Sequence, residues 1–282
     1  MRLTRHESPA ELLAAAEPYL RSTEAQNALI YGIVSKLAAG AELHPDPYLA
    51  SLADAEGIPI GVAMLTPPFV MVVSAFPPAG QALLVEDLRR AGIAPSGVLG
   101  PEPDVLELAE RWAAATGQRV TPAMRQRTYR LDRVQPVEVE GRLRPGEGDD
   151  GELVRTWTEG FAADLGIHGS EHLIPVSRHA FEGGGLFLWE RAGQPVSMAA
   201  LVGETPRGAR IGFVYTPPQH RSRGYASACT AAVSQRYLDA GKRFCCLNAD
   251  LANPASNRVY LRIGYRPVGD LREVTFTGPR AS

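Results

Sequence analysis

Apolar residues fall in short runs separated by glycine- and proline-bearing turns, and the order of those runs repeats. Residues 48–54, the turn Glu56-Gly57, residues 59–65 and residues 69–75 read as three strands, after which Phe76-Pro77-Pro78 breaks into a helix over 81–91. Residues 185–190, the turn Gly193-Gln194, residues 196–203 and residues 210–216 read as three more strands. These end at Pro217-Pro218, ahead of a helix over 226–240 that Gly241 closes. Proline stops each third strand because it has no amide hydrogen to give the ladder. The ends match as well. Helix 104–116, Gly117 to Val120 and strand 124–131 parallel helix 254–263, Gly264 to Val268 and strand 271–276. The chain therefore reads as an internal duplication. Amphipathic helices over 7–20 and 24–37 belong to the first copy, the seam lies at 132–137, and residues 139–144 open the second copy as a strand. The domains expected are 1–133 and 134–282.

The 282 residues suit two domains, and 45% hydrophobic residues suffice for two cores. A net charge of −2 gives no field to draw the chain to nucleic acid or to a membrane surface. Cys229, Cys245 and Cys246 have no zinc-type spacing and read as small core residues, which predicts a reduced, cytoplasmic setting. No signal-type apolar segment or bilayer-length run is seen. His168, Glu171, His172 and His179 lie in a stretch with glycine and proline and without zincin order; it reads as a flexible substrate-side loop, and no metal is expected. Asp149, Asp150 and Glu152 complement the dipole of the helix they begin.

The run from Val214 through Tyr215, Thr216, Pro217-Pro218, Arg221, Ser222, Arg223, Gly224, Tyr225 and Ala226 joins an apolar strand end to a basic turn that opens a helix. Free amides at the helix start, with the positive end of its dipole, favour an anion. Gly224 and the small Ala226 let a phosphate approach the main chain, and Arg221 and Arg223 add charge. Downstream, Asn253, Ser256 and Tyr260 share one helical face. From the residues alone, Asn253 before Pro254 is equally an N-cap, and Tyr260 equally a core aromatic.

The pattern Arg221-x-x-Gly224-x-Ala226 after a strand resembles the pyrophosphate motif of the GCN5-related N-acetyltransferases (GNATs). The segment from Asn253 through Ser256 and Tyr260 to Gly264-Tyr265 is similar to that family's Asn, Ser, Tyr helix. The two occur in the family's order, from mid-chain to the end. The resemblance implies an α/β (α+β) fold of two tandem GNAT-like domains, each a mixed, mostly antiparallel central sheet flanked by helices. It also implies acetyl-CoA as co-substrate. Val214, Tyr215, Thr216, Arg221, Ser222, Arg223, Gly224, Tyr225, Ala226, Asn253 and Ser256 would bind it, and Tyr260 would protonate the leaving thiolate. The two central strands would splay at a bulge, with an amide near Phe213 or Val214 aimed at the thioester oxygen. Residues 79–81 of the first copy lack both the arginines and the glycine spacing, so that copy is expected to be degenerate, as in tandem acetyltransferases.

The acceptor implied is a primary amine on a small molecule or a protein N-terminus, attacking directly in a ternary complex. The alternative is a non-catalytic acyl-CoA binding or sensing module. No carboxylate lies on strand 210–216, where relatives often carry a glutamate base. Glu159, Asp164 and Asp250 are the remaining candidates, and the base stays unassigned.

Overall fold

A computed structural model describes residues 1–40, 46–166 and 170–278. In chain order the elements are β1 (Arg2–Arg5), α1 (Pro9–Ser22), α2 (Ala28–Ala38), β2 (Tyr48–Ala53), β3 (Pro59–Leu65), β4 (Met71–Val73), α3 (Pro78–Arg90), β5 (Gly97–Pro101), α4 (Glu102–Thr116) and β6 (Arg119–Leu131). There follow β7 (Arg142–Pro145), α5 (Asp150–Asp164), α6 (Leu173–Glu182), β8 (Leu186–Arg191), β9 (Gln194–Glu204), β10 (Gly208–Tyr215), α7 (Tyr225–Asp239), β11 (Phe244–Asp250), α8 (Pro254–Arg262) and β12 (Arg266–Thr277). Two compact units result, one of residues 1–127 with 269–282, the other of 128–268.

In the first unit the strands lie in the order β1-β2-β3-β4-β5-β12. β4 and β5 pair in parallel, β12 runs antiparallel to β5, with Val274 opposite Val98, and the first part of β6 lies on the other side of β12. One face is covered by α1 and α2 through Leu12, Leu20, Ile30 and Val34. The other is covered by α3 and α4 through Leu84, Leu88, Leu108 and Trp112, and Val274 and Phe276 join this second core. The second unit repeats the plan with β7-β8-β9-β10-β11 and the end of β6. There α5 and α6 cover one face through Val154, Trp157 and Ala180, while α7 and α8 cover the other through Cys229, Val233, Tyr260 and Ile263. Mixed sheets with helices on both faces bury one apolar stripe per helix, which is the α/β solution to hiding them.

The sequence repeats trade their last strands. The strand after α8 pairs with β5 of the first copy. The end of β6, which follows α4, lies beside β11, where Thr128 Oγ1 bonds Asn248 Oδ1 at 3.1 Å.

Several local expectations need correction. The stretch read as a flexible loop carries a short 3-10 turn, Ser170–His172, and then α6, with His179 in its last turn; His168 lies outside the described residues. Pro175 sits in the first turn of α6, where its missing N–H leaves no intrahelical bond unmade. The second helix begins at Ala28, so residues 24–27 precede it. Among the described residues no helix is long and apolar enough to cross a membrane, and no cluster of three metal-type ligands occurs. All three cysteines are buried and free.

Candidate active site

The parallel ladder between β10 and β11 covers only Gly208 with Phe244, Ala209 with Cys245 and Arg210 with Cys246. Residues 211–215 and 247–250 diverge beyond it. On the other edge of β10 the pairing with β9 slips between Gly212 and Tyr215. Phe213 has φ +47°, in the left-handed region that a bulky residue enters only when its surroundings force it. This bulge resets the alternation of the strand. Strict alternation would put Ile211, Phe213 and Tyr215 on one face. Instead Ile211 packs under α7 and α8, whereas Phe213 and Tyr215 both pack under α5 and α6. Phe161 lies 5.5 Å from Phe213 and Trp157 6.2 Å from Tyr215, centroid to centroid. Gly160, inside α5, leaves room for the Tyr215 hydroxyl, which a methyl group there would strike.

The polar groups at the strand end are largely engaged. Ser197 Oγ donates to the Tyr215 carbonyl at 2.9 Å and lies 2.9 Å from Thr216 Oγ1. Arg221 Nε donates to the Thr216 carbonyl at 3.0 Å, and the other end of that guanidinium pairs with Asp164 at the end of α5. Burial, followed by the Asp164 charge, raises the Tyr215 phenol above its ordinary pKa, against the pull of Arg221. Val214 is half-buried and has no register partner on β9 or β11.

Ser222 at φ +61° and Gly224 at φ +81° are both left-handed, so the chain turns sharply and enters α7 directly from Gly224. Amides brought together in such a turn at a helix start form a concave donor set for an anion. A Cβ on Gly224 would come within 2.9 Å of Val139 Cγ2. Arg221, Ser222 and Arg223 are exposed, Tyr225 is buried, and Ala226 is half-buried. Beside the turn, Glu138, Val139, Glu140, Arg191, Arg223 and Tyr225 line a cleft of about 300 Å³. Glu140 pairs with Arg191 at 2.8 Å there.

Across the opening, Asn253 caps α8, its side chain accepting from the Ser256 amide at 3.1 Å. Its side chain and the backbone of Ser256 thus serve the cap. Tyr260 is buried, with its ring 6.0 Å from those of Tyr129 and Tyr265, and its hydroxyl bonds no described residue. Burial, reinforced by Tyr129, pushes its phenol well above the ordinary tyrosine range, so the proton stays on at any physiological pH. Asn257 is the participant that sequence reasoning missed. Its Nδ2 donates to the carbonyls of Asp250 and Asn253 at 2.7 Å each, and its Oδ1 accepts from Tyr129 at 2.6 Å. It fixes the start of α8 against β11 and the end of β6. Its place four residues after the cap, one turn on, was the available signal.

The candidate bases are occupied. Glu159 pairs with Arg155, Asp164 with Arg221, and Asp250 Oδ1 accepts from the Ala252 amide at 2.9 Å.

Residues 153–265 match the model of the family described as the Acetyltransferase (GNAT) family, and the chain has the GNAT acetyltransferase fold. Solved structures extend the likeness to the whole chain. A GCN5-related N-acetyltransferase from Sphaerobacter thermophilus has 18% identity and a TM-score of 0.63, covering 99% of this chain and 96% of its own. A Drosophila protein has 16% identity and a TM-score of 0.67, with 98% of each chain covered. A tandem GNAT protein from the clavulanic acid biosynthesis pathway has 14% identity and a TM-score of 0.55, with 99% of each chain covered. At such identities the likeness is one of fold, and that fold is the tandem GNAT arrangement. No curated protein matches the chain.

Proposed function

We propose that the chain transfers an acetyl group from acetyl-CoA to a primary amine on a small molecule or a protein N-terminus, by direct attack in a ternary complex. The second copy, residues 134–282, carries the reaction, and the first, residues 1–133, is a degenerate copy. The observation that carries this reading is the opening of β10 from β11 directly ahead of a left-handed turn and a helix start. The donor set suits a diphosphate. It consists of the amides of residues 222–226 and the Arg221 and Arg223 guanidiniums, with no Cβ on Gly224 to hold the ligand off.

When bound, acetyl-CoA supplies an activated thioester. The main chain at Phe213 and Val214, free of β9 and β11 partners, is placed to pair with the pantetheine arm and to donate to the thioester oxygen. Tyr260 keeps its proton and holds it for the departing sulfur. Asn253, locked by its cap, and Asn257, behind it, keep α8 in position for that donation. The second reading, a non-catalytic acyl-CoA binding or sensing module, draws on one observation: the three candidate carboxylates are engaged, Glu159 and Asp164 by arginines and Asp250 by the Ala252 amide.

An amine library with acetyl-CoA and thiol release as readout tests the choice. Release that depends on a particular amine supports the transferase. Tight coenzyme A binding with no amine-dependent release supports the binding module.

A further inference from the structure

Arg210 stands where β10 and β11 stop pairing, its backbone in register with Gly203 on one side and Cys246 on the other. Ala209 and Ile211 point into the core under α7 and α8, so Arg210 projects from the opposite face, toward the side of α5 and α6. Its neighbour across the sheet, Gly203, has no side chain, whereas the space over Gly212, the next residue on its own face, is taken by Val202. Cys246 and Asn248 lie on the same face of β11, since Cys245 and Leu247 belong to the core under α7 and α8.

Arg210 forms no hydrogen bond or ion pair with any described residue, and its Nε is buried without a partner. Burial lowers its pKa from the usual arginine value, with Cys246 opposing. Arg210 is half-buried, and a buried Nε–H without an acceptor is costly, so the position would be better filled by an aliphatic residue if packing were its only task. An arginine's planar fork matches a carboxylate through two parallel bonds.

We infer that Arg210 recognises the acceptor by binding a carboxylate that it carries, so the substrates are amines with an anionic end rather than neutral amines. This rests on the transferase reading and deepens it. Three residue steps along the strand lead from Arg210 to Phe213, about 10 Å at the usual rise per residue. Amine and carboxylate should therefore be several bonds apart, as in ω-amino acids or lysine rather than glycine.

The experiment measures kcat/KM for unbranched amino acids from glycine to aminohexanoate, each against its own amide. At the best length the carboxylate should exceed the amide by about 10- to 100-fold, the worth of one charge-assisted bidentate contact, and the gain should lie in KM. Arg210→Met should bring that ratio close to one while calorimetry shows coenzyme A affinity unchanged. Arg210→Lys keeps the charge without the fork and should retain part of the preference, which covers the case in which Arg210→Met does not fold. Amides that react as well as their acids at every length in the wild type overturn the inference and leave the transferase standing. A carboxylate preference that persists in both variants overturns it as well. Absence of thiol release with any amine brings down the transferase and this inference together.

Discussion

The two copies share their strand order and differ at the end of one strand. In the second, β10 slips past β9 at Phe213, parts from β11, and enters α7 through a turn with two left-handed residues. In the first, β4 pairs with β5 at Met71 with Val98 and at Val72 with Leu99, and Pro77 leads straight into α3. Side chains tie the end of that strand to its neighbours. Ser74 Oγ accepts from the Val62 amide at 2.8 Å, and the Ser74 amide donates to the Val62 carbonyl at 2.9 Å, so the edge remains sealed against β3. Asp104 accepts from the Phe76 amide at 3.3 Å, and Gln81 Nε2 donates to the Phe76 carbonyl at 2.8 Å. A carboxylate thus sits where a phosphate would need positive charge. Burial raises its pKa, against the Phe76 amide. The same topology gives a cleft or a sealed edge according to a few polar side chains at the strand end.

The largest effect should come from the strand exchange. Phe276, near the end of β12, packs on Trp112 with ring centroids 5.9 Å apart, within the core under α3 and α4. Phe276→Ala should destabilise the first unit by about 3–5 kcal/mol, the usual range for emptying a buried phenylalanine. Denaturant unfolding should then become biphasic, with coenzyme A affinity retained. A single transition shifted by less than 1 kcal/mol would show that β12 adds little to that core.

Two glycines near the starts of the corresponding helices separate the copies next. Gly224→Glu puts a side chain on a residue at φ +81° and a negative charge beside the phosphate position, so coenzyme A affinity should fall more than about 100-fold while the fold survives. Gly80 lies in the first turn of α3, where a methyl group would strike Leu52. Gly80→Ala should therefore cost stability, about 1–3 kcal/mol of overpacking, without touching coenzyme A binding. Native mass spectrometry should show one coenzyme A per chain in the wild type. Two equally tight molecules would mean that the sealed edge of the first copy opens.

The contrast was only partly legible in the sequence. Pro78 at the start of α3, the Asn253 cap of α8 and the repeated strand order follow from local rules, and the residues concerned state them. β1 escaped notice because Arg2, Thr4 and Arg5 leave Leu3 as its one apolar residue, and only pairing with β2 makes it a strand. β5 is five residues with a glycine at its start and a proline at its end, too short for a period to show. The face change at Phe213 contradicts alternation, since a non-glycine residue gives no local sign of a left-handed backbone. Nor could local patterns show that the strand after each late helix is traded between copies, which is a tertiary choice.

A smaller effect is expected at Tyr260. Tyr260→Phe keeps the ring against Tyr129 and Tyr265 and removes the proton, so turnover should fall about 100-fold, the low end for a general acid, with coenzyme A affinity little changed. From the reference pKa alone an alkaline limb near ~10 would be expected. Burial moves the folded-state value above that, so the limb should be missing from the rate profile at ~10. Stability carries the sign instead. The folded protein holds this proton while the unfolded chain releases it from about pH 10 upward, so stability falls with rising pH above ~10, and less so in Tyr260→Phe. Full turnover in the variant would make Tyr260 a packing residue.

The smallest effect concerns the one arginine of the turn that is already engaged. Arg221 is held by Asp164 and by the Thr216 carbonyl, and a diphosphate on the turn must compete with Asp164 for it. Both side chains are partly exposed, so the pair is worth only about 0.2–1 kcal/mol. Asp164→Asn removes the competitor and leaves the Thr216 bond. Coenzyme A should then bind about two- to fivefold more tightly at low salt, and the gain should shrink as ionic strength rises, because exposed charges are screened. The same substitution has no counterpart in the first copy, where residues 79–81 hold no arginine for a carboxylate to restrain. Weaker binding in Asp164→Asn would mean that Asp164 orients Arg221 toward the ligand, and the pair would then belong to the binding site rather than compete with it.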